Sequence, residues 1–197
     1  MSATHIVKWQ AEHANYRKLL DLLETQTQLF AKGDQPDYEL MSDVIYYMTQ
    51  FPDRYHHPRE DVAFKMLLDR DPSARHVVDD LATQHEAIAA SGAALHADLS
   101  ATAGGAMMSR ATIETDVRDY VSFLRRHFDQ EEREIFPRLA AVLTKADWFM
   151  VASAIHLNAD PLFGESVQAR FESLHRHIAR HAGCGCETPK ETACCLE

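Results

Sequence analysis

At 197 residues, with 46% hydrophobic and 25% charged side chains, the chain is long enough for one domain with a substantial core. Thirty acidic against twenty basic residues give a formal net charge of −10, which argues against a nucleic-acid surface, because phosphate contacts need a basic patch. No apolar run approaches the roughly 20 residues of a membrane span. The start, Met1-Ser2-Ala3-Thr4-His5, lacks a charged segment followed by an apolar one, so the expected location is cytoplasmic.

Apolar residues recur at steps of three and four throughout, and no alternating strand pattern interrupts them. The first helix is expected from about Thr4 to Lys32, ended by Gly33 and Pro36, with a seam of Ile6, Trp9, His13, Tyr16, Leu20, Leu23 and Phe30. The second runs from about Asp37 to Arg70, with a break or kink at Phe51-Pro52. Pro58 removes a further donor and crowds the Arg54 carbonyl, so the helix is expected to be distorted there. Asp71-Pro72-Ser73 opens the third, whose seam is Leu81, His85, Ile88, Gly92, Leu95 and Leu99. After a small-residue connector at 102–105, the fourth carries Ile113, Val117, Tyr120, Leu124, His127 and Glu131 and continues toward Leu143. Two shorter helices, at about 145–157 and 162–181, join at Asp160-Pro161.

These patterns predict an all-α protein: an antiparallel up-down-up-down four-helix bundle over 1–143, a helical extension over 144–182 and a flexible tail over 183–197. All four cysteines, Cys184, Cys186, Cys194 and Cys195, fall in the tail. They read as reduced thiols, without the C-x-x-C spacing of a structural zinc site.

A histidine precedes a glutamate by four residues twice, as His56/Glu60 and His127/Glu131, so each pair shares one helix face. One such pair is ordinarily a solvated ion pair. Here both pairs, with His13 and His85, stand in apolar seams, where an unpaired polar group costs a few kcal/mol. Counted from the helix ends of an up-down bundle, all six lie in one layer roughly 14–24 Å from the same end. Convergence of this kind calls for a shared cationic partner. His5, His76, His96, His156, His175, His177 and His181 fall outside the layer and read as surface or tail residues.

Four imidazoles and two carboxylates exceed the needs of one tetrahedral zinc and carry too much nitrogen for calcium or magnesium; they suit iron or manganese. Two octahedral ions offer about twelve positions, of which two bridging glutamates, four histidines and a bridging oxide or hydroxide take about ten. About two remain for water, oxygen or another diatomic.

The carriers Glu12-His13, His56-His57-Pro58-Arg59-Glu60, Gln84-His85-Glu86 and His127-Phe128-Asp129-Gln130-Glu131-Glu132-Arg133-Glu134-Ile135-Phe136-Pro137 resemble the hemerythrin-like (HHE cation-binding) family in its bacterial branch, over roughly residues 5–142. The resemblance implies two iron ions, oxo- or hydroxo-bridged, with His13, His56, His85 and His127 as terminal ligands and Glu60 and Glu131 bridging. Two departures stand out. The oxygen-carrying members place a second histidine one turn along the third helix, where this chain has Ala89. They also carry an aspartate five residues after the last histidine, where this chain has Glu131 at four. One ligand is therefore absent, or replaced by His57, Glu86 or water. Glu12, Glu86 and Glu132 are candidates to orient the ligand rings, and Tyr16 stands one turn from His13.

The expected function is binding of a diatomic ligand, oxygen or nitric oxide, for sensing, storage or detoxification. The alternatives are a di-iron enzyme consuming peroxide or nitric oxide, an iron donor for repair of iron–sulfur centres, or a regulatory module.

Overall fold

The computed structural model describes residues 2–155 and 159–181, and all regular structure among them is helical. Helix α1 spans Ser2–Lys32. It stops where Gly33 takes a φ of 78°, a left-handed conformation that a residue without Cβ adopts at no steric cost. Helix α2, Tyr38–Gln50, starts at Asp37, whose carboxylate accepts from the Leu40 N–H at 2.9 Å. The break expected at Phe51-Pro52 is a turn of π-helix over Pro52–His56, and α3 follows over His57–Arg70. Helix α4, Arg75–Ala103, is entered through a short 3-10 turn over Pro72–Ala74, and Gly104 and Gly105 close it.

The fourth predicted helix is not continuous. It consists of α5, Arg110–Gln130, a second π turn over Glu131–Ile135, and α6, Phe136–Val142. Both π turns have one cause. Pro58 has no N–H for the Arg54 carbonyl and Pro137 none for the Arg133 carbonyl, and each orphaned carbonyl falls inside the π turn just before the proline. The backbone compensates by pairing across a wider turn, from the His57 N–H to Pro52 O and from the Phe136 N–H to Glu131 O.

Helix α7, Lys145–Ala154, opens with a reciprocal capping box between Thr144 and Asp147. The helix expected from 162 begins only later, as a 3-10 turn over Ala169–Phe171 leading into α8, Glu172–His181. Asp160 diverts the chain before that. Its Oδ1 accepts from the N–H groups of Leu162 and Phe163 at 2.8 and 2.9 Å, a local turn that competes with helix formation. His156 and the cysteine-containing tail lie outside the described residues.

Helix α2 packs on α4, and α1 and α4 both pack on α5; α7 lies against α3, and α8 against α1 and α2. The apolar interior forms two clusters. One holds Tyr16, Leu20, Met48, Phe51, Ile88, Leu124 and Phe128. The other holds Trp9, Ala63, Phe64, Leu81, Ile135, Phe136 and Trp148. Each element that runs from one cluster to the other crosses at a histidine or glutamate: His13 between Trp9 and Tyr16, His85 between Leu81 and Ile88, Glu131 between Phe128 and Ile135, and His56 and Glu60 between Phe51 and Ala63. A leucine or phenylalanine at each crossing would contribute about 1.5–3 kcal/mol of burial energy, so the polar layer must recover that from another source. No helix among the described residues is long and apolar enough to cross a membrane.

Candidate metal centre

All six residues singled out from the seams meet in this layer, and all are buried. Nε2 of His13 lies 2.9 Å from Nε2 of His56, 3.7 Å from Glu60 Oε1 and 3.5 Å from Glu131 Oε2. His56 Nε2 is 3.1 Å from Glu60 Oε1. On the other side, His85 Nε2 is 3.3 Å from Glu131 Oε1 and 3.8 Å from Glu60 Oε2, and His127 Nε2 is 3.4 Å from Glu131 Oε1. The two carboxylates thus stand between a His13–His56 pair and a His85–His127 pair.

A seventh group completes the cluster. His57 is buried, stacks on His85 with ring centroids 4.4 Å apart and meets His127 edge-on at 5.5 Å. In a regular helix its side chain would point about 100° away from that of His56. The π turn that ends at His56 sets both rings inward. His57 therefore stands beside His85, in the third predicted helix, where Ala89 one turn along supplies no second imidazole. Glu86, the other candidate for that role, is exposed. Three sets of donor atoms lie close enough to share an ion: His13, His56 and Glu60; Glu60, His85 and Glu131; and His57, His85 and His127.

The outward nitrogen of four of the five rings in the cluster donates a hydrogen bond, and that of the fifth, His57, faces a carboxylate. His13 Nδ1–H donates to Glu132 at 2.8 Å and His56 Nδ1–H to Glu12 at 2.6 Å. His85 Nδ1–H donates to Asp61 at 2.8 Å and His127 Nδ1–H to the Gln84 carbonyl oxygen at 3.0 Å, while His57 Nδ1 faces Asp53 at 3.2 Å. Two of these acceptors are fixed in turn by arginines. Arg59 donates to Glu12 at 2.7 Å and Arg17 to Glu132 at 2.8 Å. These contacts set the tautomer: with Nδ1 donating outward, the Nε2 lone pairs are directed into the cluster. Glu12 and Glu132 are where the sequence placed ring-orienting acceptors. Asp61, Asp53 and Gln84 were not foreseen, although each is one helical turn or less from a cluster histidine in its own or a facing helix.

Inside the cluster the polar atoms are in excess. His57 Nε2, both oxygens of Glu60, His127 Nε2 and Glu131 Oε2 are buried without hydrogen-bond partners. Five such atoms in one layer would carry a penalty of several kcal/mol. The charges show the same frustration. Burial and the Glu60 carboxylate together push the Glu131 carboxyl above its ordinary range, whereas for Glu60 the burial cost is outweighed by His56 and His13. Burial opposes the protonation of His56, yet Glu60 and Glu12 carry its pKa up to about 9. Against the same opposition, Asp61 and Glu131 carry His85 up to about 10. Burial and neighbouring His85 push His57 down to about 4, and burial likewise lowers His127. A set of inward lone pairs and orphaned carboxylate oxygens fits cations as their common partner, with imidazole and carboxylate donors of the type that suits iron or manganese.

Of the other histidines, His76 is exposed and joins no donor set. His5 is half-buried and stacks on Trp148 at 5.0 Å. His175, expected at the surface, is buried, because α8 turns it with Leu174 and Ile178 against the body of the protein.

A family model described as Hemerythrin HHE cation binding domain matches residues 4–139 of the chain, which include every residue of the cluster. No curated protein and no solved structure matches it.

Proposed function

The chain belongs to the hemerythrin HHE cation-binding domain family, and from that premise we propose that it is a non-haem di-iron protein that binds a diatomic ligand, oxygen or nitric oxide, for sensing, storage or detoxification. The observation that carries this reading is the inward convergence of five imidazoles and two carboxylates, with four of the five outward ring nitrogens hydrogen-bonded and the fifth facing Asp53. The scaffold in this reading is an antiparallel four-helix bundle formed by α1, α2 with α3, α4, and α5 with α6. In such a bundle, alternating directions would bring His13, His56, His85 and His127 to one level.

His13 and His56 would hold one ion and His57, His85 and His127 the other, with Glu60 and Glu131 shared between them. His57 thereby replaces the ligand that Ala89 does not supply. With about six positions per ion, this set of residues would leave room for a small ligand, more on the side held by two histidines than on the side held by three. Iron held in this way supplies reversible one-electron chemistry and an affinity for small diatomic ligands.

The protein's own residues then decide which ligand is accepted. His13 is packed between the rings of Phe128 and Phe136, at 4.4 and 5.4 Å, and His56 meets Tyr16 and Trp9 at 5.3 and 6.3 Å. An aromatic surround favours an uncharged ligand, because a charged one gives up more hydration on entering it. The test is to mix anaerobically reduced, iron-loaded protein with oxygen, nitric oxide or azide and record the optical spectrum. Distinct changes with oxygen or nitric oxide are expected, and no response to any of the three would overturn the reading.

A further inference from the structure

Two tyrosines lead away from the His56 side of the cluster, and they differ in one respect. Tyr16 is fully buried and meets His56 edge-on, with ring centroids 5.3 Å apart and planes at 88°. Its hydroxyl has no hydrogen-bond partner among the described residues. Tyr47, also fully buried, is the next ring out, 6.4 Å from Tyr16. Its hydroxyl donates to Asp160 Oδ2 at 2.9 Å. The other oxygen of Asp160 is pinned by the Leu162 and Phe163 N–H groups, so the carboxylate is held in place facing the phenol. Asp160 lies beyond residues 4–139, in the segment that this chain adds to the family domain.

Oxidation of a phenol at neutral pH requires that its proton leave with the electron. Tyr16 has nowhere to send a proton, whereas Tyr47 has a fixed carboxylate at hydrogen-bond distance. We propose that Tyr47 and Asp160 form a redox site, in which Tyr47 gives up one electron toward the His56 side of the cluster by way of Tyr16. The inference rests on the di-iron reading for its oxidant, which is the one-electron oxidant formed when hydrogen peroxide reacts with ferrous iron. In the step, that oxidant is reduced by one electron, the Tyr47 O–H bond breaks, the proton passes to Asp160 Oδ2, and a neutral phenoxyl radical remains on Tyr47. Burial, which already holds the Asp160 carboxyl above its ordinary range, makes it the better proton acceptor. The arrangement draws an oxidising equivalent away from the histidines of the cluster to a ring that can hold it reversibly.

Freeze-quenched EPR of the reduced, iron-loaded full chain treated with hydrogen peroxide is the direct test. The expected result is a tyrosyl signal whose hyperfine pattern collapses on incorporation of deuterated tyrosine. Y47F should reduce it at least tenfold while leaving iron content and the nitric oxide spectrum unchanged, and D160N should reduce it severalfold. A signal of equal size in Y47F, or iron oxidation without any tyrosyl signal, would overturn the proposal. Flash-quench oxidation of the full chain by a ruthenium photo-oxidant supplies an arm that needs no iron. There the long-lived tyrosyl fraction should vanish in Y47F and D160N and persist in Y38F, and its persistence in Y47F would also overturn the proposal. If the protein takes up no iron, the di-iron reading falls on its own, and the photochemical arm still decides whether Tyr47 and Asp160 form a redox pair.

Discussion

Replacing Glu131 by glutamine is expected to change stability in opposite directions with and without metal. The Glu131 carboxyl is fully buried, its Oε2 has no hydrogen-bond partner, and burial together with the Glu60 carboxylate pushes its pKa up. Glutamine has the same shape and keeps an oxygen for the His85 contact at 3.3 Å, but it carries no charge and needs no proton. In chelator, Glu131→Gln should therefore stabilise the fold by about 1–2 kcal/mol, the size of the penalty that a buried acceptor without a partner carries. At about 2–4 °C per kcal/mol for a chain of this size, the melting temperature should rise by about 2–8 °C. Metal reverses the order. An ion at 100 to 1,000 times its dissociation constant adds about 2.7–4.1 kcal/mol to the wild-type protein, and a shared carboxylate is the ligand whose loss weakens both ions. The assay is thermal unfolding followed by circular dichroism, in chelator and in anaerobic ferrous iron. If Glu131→Gln melts below the wild type in chelator and gains as much from iron, the orphaned carboxylate is not there to meet a cation.

Three further outcomes follow from the same contacts. Glu12→Ala, Glu132→Ala and Asp61→Ala, which free the outward nitrogens of His56, His13 and His85, should each lower metal affinity about 10–100-fold in a chelator-competition titration. Exposed Glu86→Ala should not. Without metal, His56 and His85, raised to about 9 and about 10, bind protons more tightly folded than unfolded. Their contribution is complete below the unfolded value of about 6.5 and is lost as pH rises through 9 to 10, so the denaturation midpoint in chelator should fall across that window. Metal uptake at pH 7.5 must displace those same protons. Calorimetry in buffers of different ionisation enthalpy should report release of about two protons per chain, and release of none would contradict the assignment of both rings as ligands.

Much of the site could be read from the sequence because burial energetics act on single positions. A histidine or glutamate in a seam otherwise made of leucine and isoleucine is conspicuous, and helix rise alone aligned His13, His56, Glu60, His85, His127 and Glu131. His57 could not be ranked with them, since a constant turn of about 100° per residue points it away from the seam. Only the π turn before Pro58 brings it inward. Pro58 was a visible signal for that distortion; Pro137 is the same signal for the second π turn, and a regular helix carried through it toward Leu143 passes over it. The acceptors Asp53, Asp61 and Gln84 depend on which faces of neighbouring helices meet, which periodicity within one helix does not encode. At 162–168 the helical pattern of apolar residues was outweighed by a local competitor, the Asp160 side chain bonded to two backbone N–H groups.

If seven side chains hold two iron ions, elemental analysis of the iron-reconstituted, desalted full chain beside His57→Ala will count them. About two irons per wild-type chain are expected, with an oxo-bridge charge-transfer band near the ultraviolet edge after exposure to oxygen, and a clear loss of iron from His57→Ala. No bound iron in the wild type, or a single ion that His57→Ala retains in full, would contradict it.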